Sequence, residues 1–352
     1  MYSPILRNRQ SEMLAIKHLF PDVRPKLMPL IDVAAPAKRA DKAAGLKYVE
    51  KNIARAAKAL GGIASVFVDS SELDSAFRLT GGAHPVVTAA TAFQQAGIRP
   101  VPVTGLHRDA AHRAAARLVA ASISLNEVCV RLDATDVSTA TLTHMRLQSL
   151  LAAEGFLPSQ VYILIDLQCL YDQEPEPTIT QVNRFLKLVN ADSWAGIVVG
   201  GYGIPDQLST AVSTKGEAYL PRIEQQVFLK AAEQDLDSPI WFADYTTLAP
   251  SSVELDWRVI AKVMSPKALY ALDDDWFVVR GGAFSSHPDE YAQYYSMAKK
   301  IVDLDDCCDE EHCYGDQYIW ERSRGLGKPG SPGSWITACV NHHVTLTANN
   351  HA

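Results

Sequence analysis

The sequence lacks the segments that would direct a chain into or across a membrane. Its first residues contain no apolar stretch followed by small residues, so no signal peptide is expected. No run approaches 18 uncharged apolar residues, which excludes an ordinary transmembrane helix. The six cysteines form no Cys-x-x-Cys pair, and two of them lie in or beside apolar strand-like runs, as buried thiols do. A cytoplasmic, reduced protein without a membrane partner is the simplest interpretation.

An excess of basic residues is also absent. The 352 residues include 33 Lys and Arg against 40 Asp and Glu, for a net charge of −7, which argues against a protein that coats nucleic acid. A local basic stretch consists of Arg99, His107, Arg108, Arg113 and Arg117. One such helical face on an acidic protein is usually a solvated surface, and nucleic-acid binding is the alternative. The 47% hydrophobic content excludes wholesale disorder and fibrous classes.

Short apolar runs alternate with helical patterns along most of the chain. The eight strand-like runs are residues 27–33, 65–69, 99–104, 128–134, 161–168, 196–203, 239–246 and 275–282. They are continuously apolar, as expected for a parallel sheet that is covered on both faces. Eight βα units predict an α/β fold of the (β/α)8 TIM-barrel-like type, and an open doubly wound sheet is the alternative. The link from Tyr245 to Asp275 holds only a short helix-like pattern around Trp257, so a distorted barrel is expected there.

The chain changes character after Asp303. We predict a barrel over residues 1–304, including an N-terminal helix, and an extension over 305–352 that packs on it. Residues 334–347 predict a short helix followed by a strand, which would bring His342 or His343 to the barrel mouth as a general base or metal ligand. A surface or capping position for both histidines is the alternative.

The same extension is rich in potential metal ligands. They are Cys307, Cys308, His312, Cys313, Cys339, His342 and His343. Their spacing matches no zinc-finger or zinc-ribbon pattern, because structural zinc usually has paired ligands at short spacing. Whether these residues bind a metal stays open at the level of sequence.

Polar residues stand where the apolar runs end. They are Asp32, Asp69, Thr104, Arg131, Asp133, Asp166, the glycines of 200–203, Asp244, Tyr245 and Arg280. In a (β/α)8 barrel these ends share the face that carries the active site. Aspartate after a strand is also a common turn former and helix cap. Arg131 and Arg280 are less common at such positions, and each is expected to meet either a carboxylate in a structural salt bridge or an anionic ligand.

Several short motifs resemble those of the beta protein family, in order along nearly the whole chain. They are Tyr2-x-Pro4-x-Leu6-Arg7 with Glu12 and Ala15, residues 29–33, the strand at Arg131, Arg222-x-Glu224, residues 242–245, Trp276 to Arg280-Gly281, and Trp335 to His342-His343-x-Thr345. The resemblance implies a TIM-barrel-like fold and no established activity, in a family of phage and bacterial proteins often encoded near mobile or defence genes. The chain departs from the family pattern at Asp32, where Glu is expected, and at Ala243, where Gly is expected.

The strand ends and the resemblance together define a candidate site. Its expected catalytic residues are Asp166, Asp244, Tyr245 and His342, and its expected ligand-binding residues are Arg7, Glu12, Asp32, Arg131, Arg222, Arg280 and His343. Arginines would hold an anionic group, and Tyr245 would donate to a developing charge. Asp166 and Asp244 would bind a divalent metal or act as acid and base.

This site favours a hydrolase or phosphodiesterase acting on a phosphate-containing small molecule or a nucleic-acid end. The alternative is a non-catalytic interaction or sensor module in a phage or defence system. Its Arg–Asp pairs would then be structural, and its partner would be a protein from a neighbouring gene. The two hypotheses differ in whether open space remains between the acids and the arginines.

Overall fold

The computed structural model describes residues 1–37, 40–250 and 264–351. Eight parallel strands close into a barrel in the order β1 (Tyr2–Arg7), β2 (Leu30–Asp32), β3 (Ser65–Asp69), β4 (Arg99–Thr104), β5 (Val128–Asp133), β6 (Val161–Cys169), β7 (Gly196–Tyr202) and β9 (Ile240–Asp244). Strand β1 closes the barrel, because Leu6 pairs with Ile31 of β2 and Ser3 pairs with Ala243 of β9. The predicted TIM-barrel-like fold is confirmed.

Helices follow most of the strands and cover the barrel. They are α1 (Gln10–Lys17), α2 (Lys42–Ala59), α3 (Pro85–Gln95), α4 (Ala110–Ala121), α5 (Ala134–Ser138), α6 (Ala140–Glu154), α7 (Pro175–Val189), α8 (Ile223–Ala232), α9 (Gln293–Val302), α10 (Tyr314–Ser323) and α11 (Pro332–His351). The Asp41 side chain caps α2, and Gly155 ends α6 in the left-handed conformation with φ of 77°. In the described part of the chain, no helix combines the length and apolar character needed to cross a bilayer.

One predicted barrel strand lies outside the barrel. Residues Asp275–Arg280 form β11, the central strand of an antiparallel sheet with β8 (Glu217–Pro221) and β10 (Lys267–Ala271). The prediction that 275–282 closes the barrel is therefore wrong. It fails because Trp276 and Phe277 are buried on opposite faces of this sheet, which gives β11 the continuously apolar pattern of a barrel strand. The eighth barrel strand is β1, which the apolar pattern of the sequence did not predict. The helix-like pattern around Trp257 lies outside the described residues.

The C-terminal segment is a single helix. The prediction of a helix followed by a strand over 334–347 is wrong, because α11 runs through it without a break. Helix α11 is held on two sides: Asn341 donates to the Ala15 carbonyl of α1 at 2.9 Å, and His342 contacts the Ala271 carbonyl of β10 at 2.8 Å. Tertiary packing thus overrides the strand preference of its Val and Thr residues.

Alternation along each barrel strand determines where its last polar residue points. Leu30, Phe67 and Leu164 pack in the barrel interior, and the strand-end acids two residues further on share their direction. Phe242 instead packs in the layer between the barrel and its helices. Asp244, two residues after Phe242, therefore points out of the barrel, away from the other acids.

Candidate functional site

A group of inward-facing side chains fills the barrel at the carboxyl ends of its strands. This mouth cluster consists of Arg7, Asp32, Asp69, Arg131, Asp166 and Tyr245. Arg131 is at its centre, with a side chain only 12% exposed. The structure thus brings five of the predicted site residues together, and it adds Asp69.

Arg131 is surrounded by carboxylates. Its Nη1 atom lies 3.1 Å from Asp32 and 2.8 Å from Asp69, and its Nε and Nη2 atoms lie 2.9 and 2.7 Å from Asp166. Nη2 also donates to the Tyr245 hydroxyl at 2.8 Å, and that hydroxyl donates to Asp166 at 2.7 Å. Because a guanidinium has five N–H groups, these contacts account for all of its donors. Arg131 meets carboxylates, which is one of the two outcomes expected from the sequence.

A cavity of about 220 Å³ adjoins the mouth cluster. It is lined by Ile5, Arg7, Asp32, Ser71, Glu72, Arg131, Gln168, Cys169, Asp206, Tyr245 and Pro250. Arg7 pairs with Glu72 and donates to the carbonyls of Ala249 and Pro250 at one side of this cavity. Open space therefore remains beside the acids, although both arginines that line it contact protein groups.

Asp32 is a mouth acid whose pKa is raised toward neutral pH. Burial and the neighbouring Asp69 carboxylate raise the pKa of Asp32 to about 6, although Arg131 opposes the shift. Its Oδ2 atom accepts from the Ser71 hydroxyl at 2.6 Å, and its Oδ1 atom has no hydrogen-bond partner among the described residues. Burial would also raise the pKa of Asp69, but Arg108 and Arg131 outweigh it and hold that pKa below its ordinary value.

The backbone is strained at two positions beside the cavity. Gln168 has a φ of 53°, and the pairing of β6 with β7 shifts register between Asp166 and Cys169. Thr246, directly after Tyr245, has a φ of 54°. Left-handed conformations of residues other than glycine cost free energy and concentrate at functional sites. Gln168 lies within β6, two residues after Asp166, and Thr246 directly follows Tyr245, just beyond the end of β9.

Asp244 belongs to a second group, the outer-wall cluster, between the barrel, α8, α11 and β11. Its members are Tyr2, Arg222, Glu224, Asp244, Trp276 and His343, all of them buried. Asp244 accepts from Tyr2 at 2.6 Å and contacts His343 Nε2 at 2.7 Å, while Arg222 Nη2 lies 3.6 Å away. Burial alone would raise the pKa of Asp244, but His343 and Arg222 hold it below the ordinary value.

The expected pairing of Asp166 with Asp244 is therefore wrong, because their side chains point to opposite sides of the barrel wall. His343 and Arg222 likewise lie outside the mouth. Glu12 sits in α1 and accepts from the Arg7 backbone N–H at 2.9 Å, and Arg280 donates from β11 to the Val212 carbonyl at 2.7 Å. The catalytic and ligand-binding roles assigned to these residues stay predictions.

His342 does not reach the mouth either. It lies in a third group with Cys308, His312 and Asp316, on the side of α11 that faces β10. The expectation that either tail histidine enters the barrel mouth is wrong, because α11 lies against the outside of the barrel and both imidazoles are fully buried there.

Each residue of the local basic stretch has an acidic neighbour. The pairs are Arg99–Glu127, His107–Asp136, Arg108–Asp69, Arg113–Glu154 and Arg117–Glu154. Arg108 was assigned to this solvated face, but it reaches the mouth acid Asp69 at 2.7 Å. The pairs leave little local excess of positive charge for a phosphate backbone.

Two residues that line the cavity, Ser71 and Glu72, were not predicted from the sequence. They lie two and three residues after Asp69, so their position just beyond a predicted barrel strand was the available signal. Asp316 was not predicted either, and its i, i+4 spacing from His312 was the signal there.

Fold and site define a TIM-barrel-like α/β protein with a polar cavity at the carboxyl ends of its strands. The chain belongs to the Beta protein family, whose profile matches residues 2–348. No curated protein matches the sequence.

Proposed function

We propose that the mouth cavity binds a small polar molecule and that Asp32 exchanges a proton with it, as the general base of a hydrolase. The supporting observation is a half-satisfied carboxylate with a pKa near 6 beside a cavity of about 220 Å³. A group with such a pKa is ionised at neutral pH and is still basic enough to take a proton from an attacking water. Tyr245 stays protonated, because burial raises its pKa well above the ordinary value.

The charges that line the cavity favour a neutral or cationic substrate group. Asp32, Glu72 and Asp206 stand against Arg7 and Arg131. All five N–H groups of Arg131 are directed at Asp32, Asp69, Asp166 and Tyr245. A phosphate-containing ligand would have to displace a carboxylate from this network. The sequence also predicts a phosphodiesterase. That hypothesis stays a prediction, and it requires a carboxylate to move away from Arg131 when the phosphate binds.

The second candidate function is a non-catalytic interaction or sensor module. The complete engagement of Arg131 by carboxylates favours it, since a purely structural network has no donor to spare. A phage or defence role is expected from the family alone, and so is a protein partner.

Two chromogenic substrates distinguish these functions. Hydrolysis of neutral 4-nitrophenyl acetate and of anionic bis(4-nitrophenyl) phosphate is measured with the wild type, with Asp32→Asn and with the exposed-acid control Asp22→Asn. We expect ester hydrolysis that rises with pH through about 6, falls at least about 10-fold in Asp32→Asn and is unchanged in Asp22→Asn. Preference for the phosphodiester supports the phosphodiesterase version.

Binding is measured separately from turnover. Thermal unfolding is followed with putrescine and with inorganic phosphate as cationic and anionic probes. A rise in Tm with putrescine that Asp32→Asn abolishes supports the proposed site. If neither probe changes Tm and neither substrate is hydrolysed, the enzyme proposal fails and the interaction module is favoured.

A further inference from the structure

The third group of titratable side chains lies outside the barrel, where the C-terminal segments meet β10. Cys308 comes from the loop after α9, His312 from the turn before α10, Asp316 from the first turn of α10, and His342 from α11. One ligand atom from each of the four residues lies within 4.8 Å of all the others. The mouth cluster contributes nothing to this group.

We propose that Cys308, His312, Asp316 and His342 bind one Zn²⁺ ion in a structural site. Tetrahedral zinc with bonds of about 2.0 to 2.3 Å places its ligand atoms roughly 3.3 to 3.8 Å apart. The four ligand atoms lie within 4.8 Å of one another, and Asp316 Oδ2 is closer than zinc geometry requires to two of them, at 2.7 Å from His312 Nδ1 and 2.9 Å from His342 Nδ1. A small outward movement of the ligands around an ion would bring these contacts to bonding geometry.

The hydrogen bonds of His342 leave its Nδ1 atom as the metal-facing nitrogen. Its Nε2 atom is 2.8 Å from the Ala271 carbonyl, which can only accept, so Nε2 carries the proton. The neutral ring then presents an Nδ1 lone pair to a carboxylate oxygen. Two acceptors at 2.9 Å need either a proton on Nδ1 or a metal ion bound by both atoms, and we assign the second arrangement, with zinc as the ion. Outer-shell bonds of this kind fix the tautomer of metal-binding histidines.

The remaining contacts hold Asp316 in place. Its Oδ1 atom accepts from the Tyr270 hydroxyl at 2.8 Å, which leaves Oδ2 toward the other ligands. The Tyr270 ring stacks on His342 with centroids 3.9 Å apart, and its hydroxyl accepts from the Cys308 backbone N–H at 3.0 Å. Cys313 lies just outside the ligand set and donates to Asp316 Oδ2 at 3.0 Å.

The donor types select the metal. One thiolate and two imidazoles exclude Mg²⁺ and Ca²⁺, which prefer oxygen ligands, and suit zinc. Four protein ligands fill a tetrahedral shell and leave no open position for substrate, so the site is structural. The ion would tie the segment around α10 to α11 and, through Tyr270 and Ala271, to β10.

Metal analysis of the purified, untagged full chain tests the proposal. We expect one zinc per chain in the wild type, loss of zinc in Cys308→Ser and His312→Ala, and retention in the matched control Cys307→Ser. Cys307 is the adjacent thiol, and its Sγ atom contacts the Tyr270 hydroxyl and the Cys308 carbonyl rather than a ligand atom. Loss of zinc in Cys307→Ser as well as in Cys308→Ser would contradict the assignment of ligands.

A second measurement does not depend on the folding of variants. Wild-type protein is stripped with 1,10-phenanthroline and titrated with Co²⁺. We expect tetrahedral d–d absorption and a thiolate charge-transfer band that saturate at one equivalent and disappear on adding Zn²⁺, together with a lower Tm for the stripped protein. Absence of stoichiometric zinc and of cobalt absorption would overturn the proposal and leave a protonated His–Asp network.

Discussion

The mouth cluster and the outer-wall cluster are built from the same residue types with different surroundings. In the mouth, Arg131 gathers three carboxylates beside a cavity, and Asp32 keeps an oxygen without a partner among the described residues. In the outer wall, Asp244 lies between Tyr2, His343 and Arg222, all of them almost wholly buried. The first arrangement has room for a ligand, whereas the second joins the barrel to α11.

The difference arises from alternation along the strands. The side chains of Asp32, Asp69 and Asp166 point into the barrel, like the interior residues two positions before them. The side chain of Asp244 points outward, like that of Phe242 in the outer layer. An acid at the end of a barrel strand therefore belongs to the candidate site when its side chain points into the barrel, and it is structural when its side chain points outward. We expect the two clusters to respond differently to substitution.

Asp244→Ala is expected to have the largest effect, a loss of about 3 to 5 kcal/mol in the free energy of unfolding. The change leaves Arg222 and His343 buried without their carboxylate. Urea denaturation measures it. Tyr2→Phe is the control, since it removes one donor and should cost only about 1 kcal/mol. Similar losses for both variants would show that the charge of Asp244 is not what matters.

Arg131→Met is expected to cost about 2 to 3 kcal/mol at pH 7, because it leaves Asp32, Asp69 and Asp166 facing one another without a countercharge. Without the guanidinium the pKa values of Asp32 and Asp69 rise, so the folded variant takes up protons as the pH falls. The loss should therefore shrink between pH 7 and pH 5. Urea denaturation at both pH values checks this, and an equal loss at both would contradict it.

Asp32→Asn is expected to change how stability depends on pH. The folded pKa of about 6 exceeds the ordinary value of 3.8, so the folded protein binds more protons than the unfolded chain between these values. Stability of the wild type therefore falls relative to the variant as the pH rises from about 4 to 6, by at most about 1.4 kcal/mol per pH unit.

Asp69→Asn tests one cause of the raised pKa of Asp32, the neighbouring carboxylate. The folded pKa of Asp69 is below the ordinary value, so Asp69 itself is ionised in both states above about pH 5. Removing its charge should lower the pKa of Asp32, so the stability difference between wild type and this variant should change with pH in the same direction as for Asp32→Asn, but by less. A larger slope than that for Asp32→Asn, or one of opposite sign, would contradict the assignment of the raised pKa to Asp32.

Glu217→Gln is expected to have the smallest effect, at most about 1 kcal/mol. Glu217 pairs with Lys300 at 2.7 Å, but both side chains are nearly half exposed and water screens their charges. Thermal unfolding at low and high salt measures the change. A larger loss would mean that solvent exposure does not explain why surface ion pairs stabilise the protein less than the two buried clusters do.

The sequence was sufficient for seven of the eight barrel strands and for five of the six residues of the mouth cluster. Repeated apolar runs with acids at their ends predict the strands and the shared position of Asp32, Arg131 and Asp166. The direction of Asp244 was not predictable, because a strand that is apolar on both faces does not show which face is the interior. Strand β1 was missed since Ser3, Pro4 and Arg7 interrupt its apolar pattern.

The group around Asp316 was harder to predict for another reason. His342 is separated from Asp316 by 26 positions, and only the packing of α10 against α11 brings them together. Short-spaced ligand pairs are visible in a sequence, but ligands from separate helices are visible only once the helices are placed.

Closure of the barrel by β1 has a consequence for synthesis of the chain. Strand β1 finds β2 within some thirty residues, but its other neighbour is Ile240–Asp244. At roughly 5 to 20 residues per second, a ribosome needs roughly 10 to 50 s to reach that strand. During this time one edge of β1 has no strand beside it. The unpaired N–H and C=O groups of that edge can then pair with strands of other chains. Production at low temperature or with chaperones should therefore raise the yield of soluble protein.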